Sequence, residues 1–252
     1  MRYFLIFSYN GAAYHGWQIQ PNGLSVQEVM EGALGKILRL KTPLTAAGRT
    51  DAGVHARYMA AHFDIDTSIA DSVEFLRRFN SVLPCDIAVS KILRVRDDAH
   101  ARFDALYRTY NYYVTDVKDP FQGQYSYRYF GEMDFDMMNR AAERLKDYTD
   151  FTSFSKLHTD TVTNNCRVSA AYWEKCGEEW RFVITADRFL RNMVRSVVGT
   201  LFEVGRGKLT VEGFCGVIEA KDRCKAGTSM PANALFLVDV GYPEEIFEYN
   251  LK

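Results

Sequence analysis

The sequence predicts a protein of the α/β or α+β class with mixed sheets. Segments with strand-like alternation and segments with helical periodicity follow one another through both halves of the 252 residues. No low-complexity linker interrupts them, and the composition is that of an ordinary globular protein. The length suits one large domain or two modest ones. We place a boundary near residue 100, which gives subdomains of residues 1–102 and 103–252.

The first half contains strand and helix patterns in alternation. Residues 2–9 alternate as a strand, and the segment that begins at Ser25 carries apolar residues at helical spacing. Ser25 and Glu28 have the spacing of a capping box. Pro84 ends a second helix. The predicted elements are a strand at 2–9, a helix at 25–41, a strand at 60–66, a helix at 71–83 and a strand at 86–95.

The second half repeats this organisation. Two strand-like runs flank Gly177 and indicate a hairpin. The predicted elements are a strand at 103–115, a helix at 134–146, strands at 168–176 and 179–186, helices at 188–205 and 210–220, and a strand at 234–242.

The predicted helix 188–205 carries a buried stripe and three arginines. The arginines share a second face because they are spaced at i, i+3 and i+7. Such a face is ordinarily solvated. Arg195, however, lies about 100° from Val194 around the helix axis and so at the edge of the stripe, where an arginine needs a carboxylate partner. The stripe residues are Phe189, Met193, Val194, Val197, Val198 and Leu201, and the arginines are Arg188, Arg191 and Arg195.

Composition excludes several kinds of site. The five cysteines lie at least nine positions apart and the five histidines are dispersed, so we expect no disulfide framework and no metal. The net charge of −1 argues against a generally basic surface, although a local basic patch remains compatible with a nucleic-acid partner. The opening MRYFLIFSYN lacks signal-peptide features and no segment is apolar for about 18 residues. We therefore expect a cytoplasmic protein without a membrane partner.

A single acid, Asp51, lies in the glycine-bracketed loop AAGRTDAGVHA at residues 46–56. The loop is not a phosphate-binding loop, because Val54 and His55 replace the required Lys and Ser/Thr. It fits an aspartic protease poorly, because the acid is not followed by Thr or Ser and then Gly, and the loop offers no second acid to share a proton. Taken alone, Asp51 is equally compatible with a turn-capping role.

A tyrosine-rich segment follows the predicted boundary. In the strand at 107–112, alternation places Arg108, Tyr110 and Tyr112 on one face. Cations and aromatic rings interleaved in this way form stacking platforms in RNA-binding proteins. On this observation alone, an aromatic strand packed into a core is the simpler interpretation.

The sequence resembles the tRNA pseudouridine synthase A family. The signature GRTDAGVHA carries the resemblance most strongly, and further blocks match in order along essentially the whole chain. These blocks are YNGAAYHGWQIQ at 9–20, SVQ at 25–27, HARFDA at 100–105, DFTSF at 150–154, FLRNMVRSVVGTL at 189–201, AKDR at 220–223 and LVDVGYP at 237–243.

The resemblance implies a pseudouridine-synthase fold with the active-site cleft between two mixed-sheet subdomains. It implies that Asp51 is the catalytic aspartate, that Arg195 pairs with it, and that Tyr110 stacks on the target uracil. Arg49 matches an arginine that flips or holds the nucleotide. The family acts as a homodimer without a cofactor on uridines 38, 39 and 40 of the tRNA anticodon stem–loop. This chemistry also predicts that Gly48 and Gly53 let the loop adopt dihedrals closed to other residues.

Three positions depart from the family pattern, and several cations are candidates for phosphate contacts. Asn10 replaces an aspartate, Met59 a glutamine and Ala234 a glycine. The candidate phosphate contacts are Arg188, Arg191, Arg206 and Lys208 in the second half and Arg57, Arg77 and Arg78 in the first. Two alternatives stay open: a non-catalytic RNA-binding protein on the same scaffold, and a synthase that acts on other RNAs.

Overall fold

The computed structural model describes residues 1–156 and 163–248. These residues form two compact units. Unit 1 combines Met1–Leu106 with the chain from Leu237 onward, and unit 2 is Tyr107–Phe236. Each unit contains helices and hydrogen-bonded strands, which confirms the predicted α/β class. The functional subdomains 1–102 and 103–252 stay a prediction; by its contacts, the last strand groups mainly with unit 1.

Nine strands and five α-helices make up the regular structure of the described residues. In chain order they are β1 Arg2–Tyr9, α1 Val26–Leu38, β2 Thr45–Ala46, β3 His55–Asp64, α2 Ser72–Val82, β4 Ile87–Val95, β5 Tyr107–Thr115, β6 Tyr127–Arg128, α3 Phe135–Glu143, β7 Val168–Cys176, β8 Glu179–Ala186, α4 Met193–Gly205, α5 Val211–Glu219 and β9 Leu235–Gly241.

In unit 1, β1 is a central strand. It pairs antiparallel with β3 on one side and with β4 on the other, while β9 lies on the far side of β3. Strand β3 begins at His55, five residues before the predicted start, because its pairing with β1 extends to Tyr9 opposite Ala56. The strand therefore starts within the segment 46–56, here called the acid loop, four residues after Asp51.

Both helices of unit 1 begin after a side-chain cap, which is the predicted Ser25 in α1 and Asp71, not predicted, in α2. The backbone N–H of Glu28 donates to Ser25 Oγ at 3.2 Å, and that of Glu74 donates to Asp71 Oδ1 at 2.9 Å. These bonds satisfy donors that a helix start leaves without a partner. The apolar face of each helix is buried, as the periodicity predicts. Its fully buried members include Met30 in α1 and Phe79 in α2.

Unit 2 contains a mixed sheet. Strand β5 pairs antiparallel with β8 and parallel with the short β6, and β8 pairs antiparallel with β7. The predicted hairpin is confirmed, with Gly177 at a φ of 62° in its turn. A left-handed backbone of this kind favours glycine.

Helix α4 begins at Met193, so the predicted start at residue 188 is wrong. Asn192 has a φ of 67°, and a residue in this left-handed conformation cannot continue a right-handed helix. Asparagine is among the few residues that adopt it readily. Arg188 and Arg191 therefore precede the helix, and the proposed face shared with Arg195 does not exist. Within the helix, the predicted stripe from Met193 to Leu201 is buried.

The described residues contain no group of three His, Cys, Asp or Glu side chains arranged to hold a metal ion. Within the same ranges, none of the helices has both the length and the apolar character that a bilayer crossing requires.

Candidate active site

Asp51 occupies the first position of a tight turn in unit 1. The backbone N–H of Val54 donates to the Asp51 carbonyl at 3.1 Å. Gly53 has a φ of 78°, whereas Ala52 keeps a negative φ, which is the pattern of a type II turn with glycine at its third position. The turn leaves Asp51 half-buried. The prediction that the loop needs a glycine at position 53 is confirmed.

Residues 9–17, here called the brace, hold this loop from one side. The hydroxyls of Tyr9 and Thr50 lie 2.8 Å apart, and the backbone N–H of Trp17 donates to the Thr50 carbonyl at 3.3 Å. Trp17 is itself buried, with its ring 5.4 Å from that of Phe7. The residue directly before Asp51 is therefore fixed through both its side chain and its backbone.

The brace also contacts the residues after Asp51. Gly53 donates its backbone N–H to the Tyr14 carbonyl at 3.3 Å. The backbone N–H of Gly11 donates to Nδ1 of the buried His55 at 3.0 Å. Because Nδ1 accepts, the proton of the neutral imidazole lies on Nε2. The turn is thus held at both ends.

Two glycines allow the brace to approach the loop closely. Gly16 has a φ of 87°, and a Cβ there would lie 2.3 Å from the Thr50 carbonyl oxygen. A Cβ on Gly11 would lie 2.0 Å from the Val54 oxygen. In contrast, a Cβ on Gly48 would meet nothing within 4 Å, and Gly48 is not in the left-handed region. Gly48 therefore does not adopt the special dihedral expected of it, and the close approach between loop and brace depends on the glycines of the brace.

Tyr14 anchors the brace to the rest of unit 1. Its hydroxyl donates to Asp86 Oδ1 at 2.7 Å. Burial raises the pKa of Tyr14, and the bond to the carboxylate of Asp86 adds to the rise. Tyr14 therefore stays protonated across the physiological range. Asn10, the departure from the family aspartate, still accepts from the backbone N–H of Ala12 at 3.0 Å and so caps the short turn that follows.

In unit 2, the predicted face of β5 is built as alternation requires. Tyr110 is half-buried and meets the ring of Phe189 edge-on at 5.1 Å. Arg108 donates through Nη1 to the Asp187 carbonyl at 2.7 Å. Tyr112 is fully buried, and its hydroxyl donates to the Pro231 carbonyl at 3.0 Å. Arg108 and Tyr112 are therefore buried, whereas the ring of Tyr110 is partly open to solvent.

Arg195 lies in the first turn of α4, near Tyr112. Its Nε donates to the Met230 carbonyl at 2.6 Å, and the Met230 backbone N–H donates back to the Arg195 carbonyl at 3.1 Å. Burial raises the pKa of Tyr112, and the positive charge of Arg195 offsets part of that rise. The guanidinium is half-buried at the edge of the stripe, as its spacing predicts.

The other predicted binding arginines lie on irregular backbone. Arg49 is an exposed residue of the acid loop in unit 1. Arg188 is half-buried in unit 2, where its charge opposes the burial that raises the pKa of the Cys166 thiol to about 12. Arg191 is exposed, and its carbonyl accepts from the backbone N–H of Lys156 at 3.1 Å.

Three of the broader cation candidates already have local acid partners. Arg77 pairs with Glu74 at 2.7 Å in unit 1. Arg206 and Lys208 each lie 3.6 Å from a carboxylate oxygen of Glu203 in unit 2. Such exposed pairs reduce the net positive charge that these groups offer to a phosphate.

Comparison with known proteins identifies the family. A profile described as tRNA pseudouridine synthase matches residues 141–243. The chain is 60% identical over 246 residues to tRNA pseudouridine synthase A of Parabacteroides distasonis, covering 98% of each chain. It is 59% identical over 254 residues to the protein of the same name in Bacteroides thetaiotaomicron, covering 100% of this chain and 94% of the relative. The chain belongs to the tRNA pseudouridine synthase A family.

Membership in the tRNA pseudouridine synthase A family confirms the resemblance and makes the chain an isomerase. The residues of the brace were missed by the sequence reasoning, although the block YNGAAYHGWQIQ pointed to the segment that contains them. Their role depends on long-range contacts such as Tyr9 to Thr50, 41 positions apart, for which no local pattern exists.

Proposed function

We propose that this chain converts uridine to pseudouridine at positions 38, 39 and 40 of the tRNA anticodon stem–loop, with Asp51 as the single catalytic carboxylate. The observation that carries the proposal is the acid loop, in which the family signature GRTDAG presents one half-buried acid on a turn held at both ends. The identity of about 60% to synthases of this name over nearly the full chain supports the assignment.

One carboxylate suffices for this reaction. The N1–C1′ bond of uridine breaks, the uracil rotates, and C5 bonds to C1′. C5 then loses its proton and N1 takes one up, so no atom is gained or lost overall and no redox step occurs. Asp51 either attacks C1′ covalently or removes a proton from C2′ to give a glycal. Both routes need the ionised carboxylate next to the ribose.

Arg195 is proposed to compensate the charge of Asp51. A guanidinium offers a planar pair of donors that matches a carboxylate, which a lysine cannot reproduce. The bond from Arg195 Nε to Met230 fixes the plane of the guanidinium in unit 2. In this proposal the guanidinium supplies the positive charge that balances the carboxylate used by either chemical route.

The remaining roles follow from the need to extract the base. Flipping a nucleotide costs on the order of a few kcal/mol, and stacking on an aromatic ring returns about 1–3 kcal/mol. Tyr110 offers its partly open ring for this purpose, with its edge contact to Phe189 holding it in place. We assign Arg49 to holding the extruded nucleotide and Arg188 and Arg191 to phosphates. The proposal includes a cytoplasmic homodimer that needs no cofactor or metal.

The proposal is tested with Asp51→Asn and tRNA that carries tritium at uridine C5. Release of tritium reports the loss of the C5 proton. Asp51→Asn is nearly isosteric, so we expect it to fold and bind tRNA while its release rate falls by at least about 10³-fold. The control is Asp66→Asn, an exposed loop aspartate of the same unit, which should keep the wild-type rate.

Two results would contradict the proposal. Normal tritium release by Asp51→Asn would remove this residue from the mechanism. Binding of tRNA by the wild-type protein without any pseudouridine would favour the non-catalytic RNA-binding alternative. Mapping of pseudouridine in tRNA from cells with and without the protein tests the three positions and separates the tRNA assignment from activity on other RNAs.

A further inference from the structure

Thr50, the residue before Asp51, is held through both its side chain and its backbone. Thr50 is 8% exposed and Tyr9 is 4% exposed, and their hydroxyls share the 2.8 Å hydrogen bond. The Thr50 carbonyl accepts from the backbone N–H of Trp17. Because that carbonyl and the N–H of Asp51 belong to one planar peptide group, these two contacts set the orientation of the peptide that leads into Asp51.

Removal of only one of the two hydroxyls also costs free energy of folding. Both hydroxyls are removed from water, so each would lose a partner if the other were deleted. A loop that only had to close could use two apolar side chains at these positions, since replacing both partners by apolar groups of the same shape can be nearly neutral. The polar pair instead fixes one geometry, because a hydrogen bond depends on direction as well as distance.

We propose that Tyr9 and Thr50 form a positioning pair that fixes the position of the Asp51 carboxylate during the reaction. The inference rests on the proposed catalytic function of Asp51. Neither hydroxyl touches the substrate in this proposal; both act through the backbone of the acid loop. A displacement of about 1 Å of a reacting group can cost about 10²-fold in rate, so loss of the pair is expected to act on the chemical step.

The same strand supplies a matched control. Tyr3 lies on β1, as Tyr9 does, and is 7% exposed. Its hydroxyl accepts from the backbone N–H of Ile69 at 3.0 Å, away from the acid loop. Tyr3→Phe therefore removes a buried hydroxyl and one hydrogen bond from unit 1 without touching the acid loop.

The experiment measures the single-turnover rate with C5-tritiated tRNA, the Kd for tRNA and the thermal midpoint. We expect Tyr9→Phe and Thr50→Val each to lower the rate about tenfold with Kd unchanged. The double variant should be no slower than the slower single variant, because both remove the same interaction. Thr50→Ser keeps the hydroxyl and should therefore retain most of the single-turnover rate that Thr50→Val loses. Tyr3→Phe should shift the midpoint and leave the rate alone.

Three outcomes would overturn the inference: rates within twofold of wild type for both single variants, losses that simply multiply in the double variant, or an equal rate loss in Tyr3→Phe. If Tyr9→Phe does not fold, the comparison of Thr50→Val with Thr50→Ser decides. Asp51→Asn in the same assay separates the two proposals. An inactive Asp51→Asn beside unimpaired pair variants rejects only the positioning role, whereas an active Asp51→Asn rejects the proposed function itself.

Discussion

At the residue scale, two histidines of unit 1 hold the segment that follows β4. Nδ1 of the buried His62 accepts from the backbone N–H of Ala101 at 3.1 Å, and Nδ1 of His100 accepts from that of Arg102 at 3.1 Å. The two rings meet edge-on at 4.7 Å. An imidazole accepts a hydrogen bond only when it is neutral. Protonation would therefore remove these contacts.

The environment of His62 disfavours that protonation. Burial lowers the pKa of His62 to about 4, and the charges of Arg2 and His100 act in the same direction, while Asp64 and Asp104 oppose them. In the unfolded chain the pKa of histidine is about 6.5. The folded state therefore binds a proton at His62 less readily than the unfolded chain does. As a result, the contribution of neutral His62 to the free energy of unfolding is complete above about pH 6.5 and is lost as the pH falls towards 4.

We predict that His62 makes the free energy of unfolding depend on pH in this window. Its share of the loss between pH 7 and pH 4 should be about 2–3 kcal/mol. In His62→Asn, which keeps an acceptor but does not titrate, that share should disappear. Urea unfolding of both proteins at pH 7, 5.5 and 4 measures the difference. Parallel pH profiles for the two proteins would show that His62 does not contribute.

At the element scale, helix α4 and the segment 227–231 touch backbone to backbone. A Cβ on Gly199 would lie 1.9 Å from the Thr228 carbonyl oxygen, and one on Gly227 would lie 2.9 Å from the Gly199 backbone. The same segment accepts the hydrogen bonds of Arg195 and Tyr112 described above. The close approach at Gly199 therefore sets the distance between α4, which carries Arg195, and the segment that accepts the Arg195 hydrogen bond.

We expect Gly199→Ala to destabilise the protein by about 1–3 kcal/mol, because the added methyl group must push the segment away from the helix. The rate of pseudouridine formation should fall as well, since the Arg195 acceptor moves. Gly216→Ala is the matched control, because Gly216 is exposed in α5 with nothing within 4 Å of its added Cβ. It should gain about 0.5–1 kcal/mol. Urea unfolding and single-turnover rates check both variants, and equal effects would contradict the packing argument.

Helix α4 also shows how far local sequence determines structure. Its apolar stripe was predictable from periodicity, and the cap of α1 at Ser25 was predictable from the capping-box spacing. The start of α4 was not predictable. Residues 188–192 have side chains that are compatible with a helix, and only the left-handed backbone of Asn192 prevents the helix from beginning earlier. The same limit applies to the site: Asp51 and Tyr110 carry recognisable motifs, whereas the brace contacts join residues tens of positions apart and need the folded chain.

At the scale of the whole molecule, charge is nearly balanced. The chain has 31 Lys and Arg against 32 Asp and Glu, so overall attraction for RNA is negligible. Affinity for tRNA must then come from local clusters of cations that release counterions from phosphates. Arg77 is a weak candidate for such a contact, because the carboxylate of Glu74 lies 2.7 Å from its guanidinium.

We predict a steep dependence of tRNA affinity on salt. If Arg188 and Arg191 each neutralise one phosphate, the double variant Arg188→Ala/Arg191→Ala should reduce the slope of log Kd against log salt by about two. Arg77→Ala should leave the slope unchanged. Titrations between about 50 and 200 mM salt measure it. An unchanged slope in the double variant would assign the phosphate contacts to other residues.

The composition of unit 1 from two distant stretches has a consequence for synthesis on the ribosome. Strand β9 lies beside β3, and Phe247 pairs with Val95, so this unit uses residues near both termini. A nascent chain that has emerged only to residue 106 lacks these partners, while the 130 residues of unit 2 are contiguous. The unit that carries Asp51 can therefore complete its strand pairing only after residues 237–248 have left the exit tunnel.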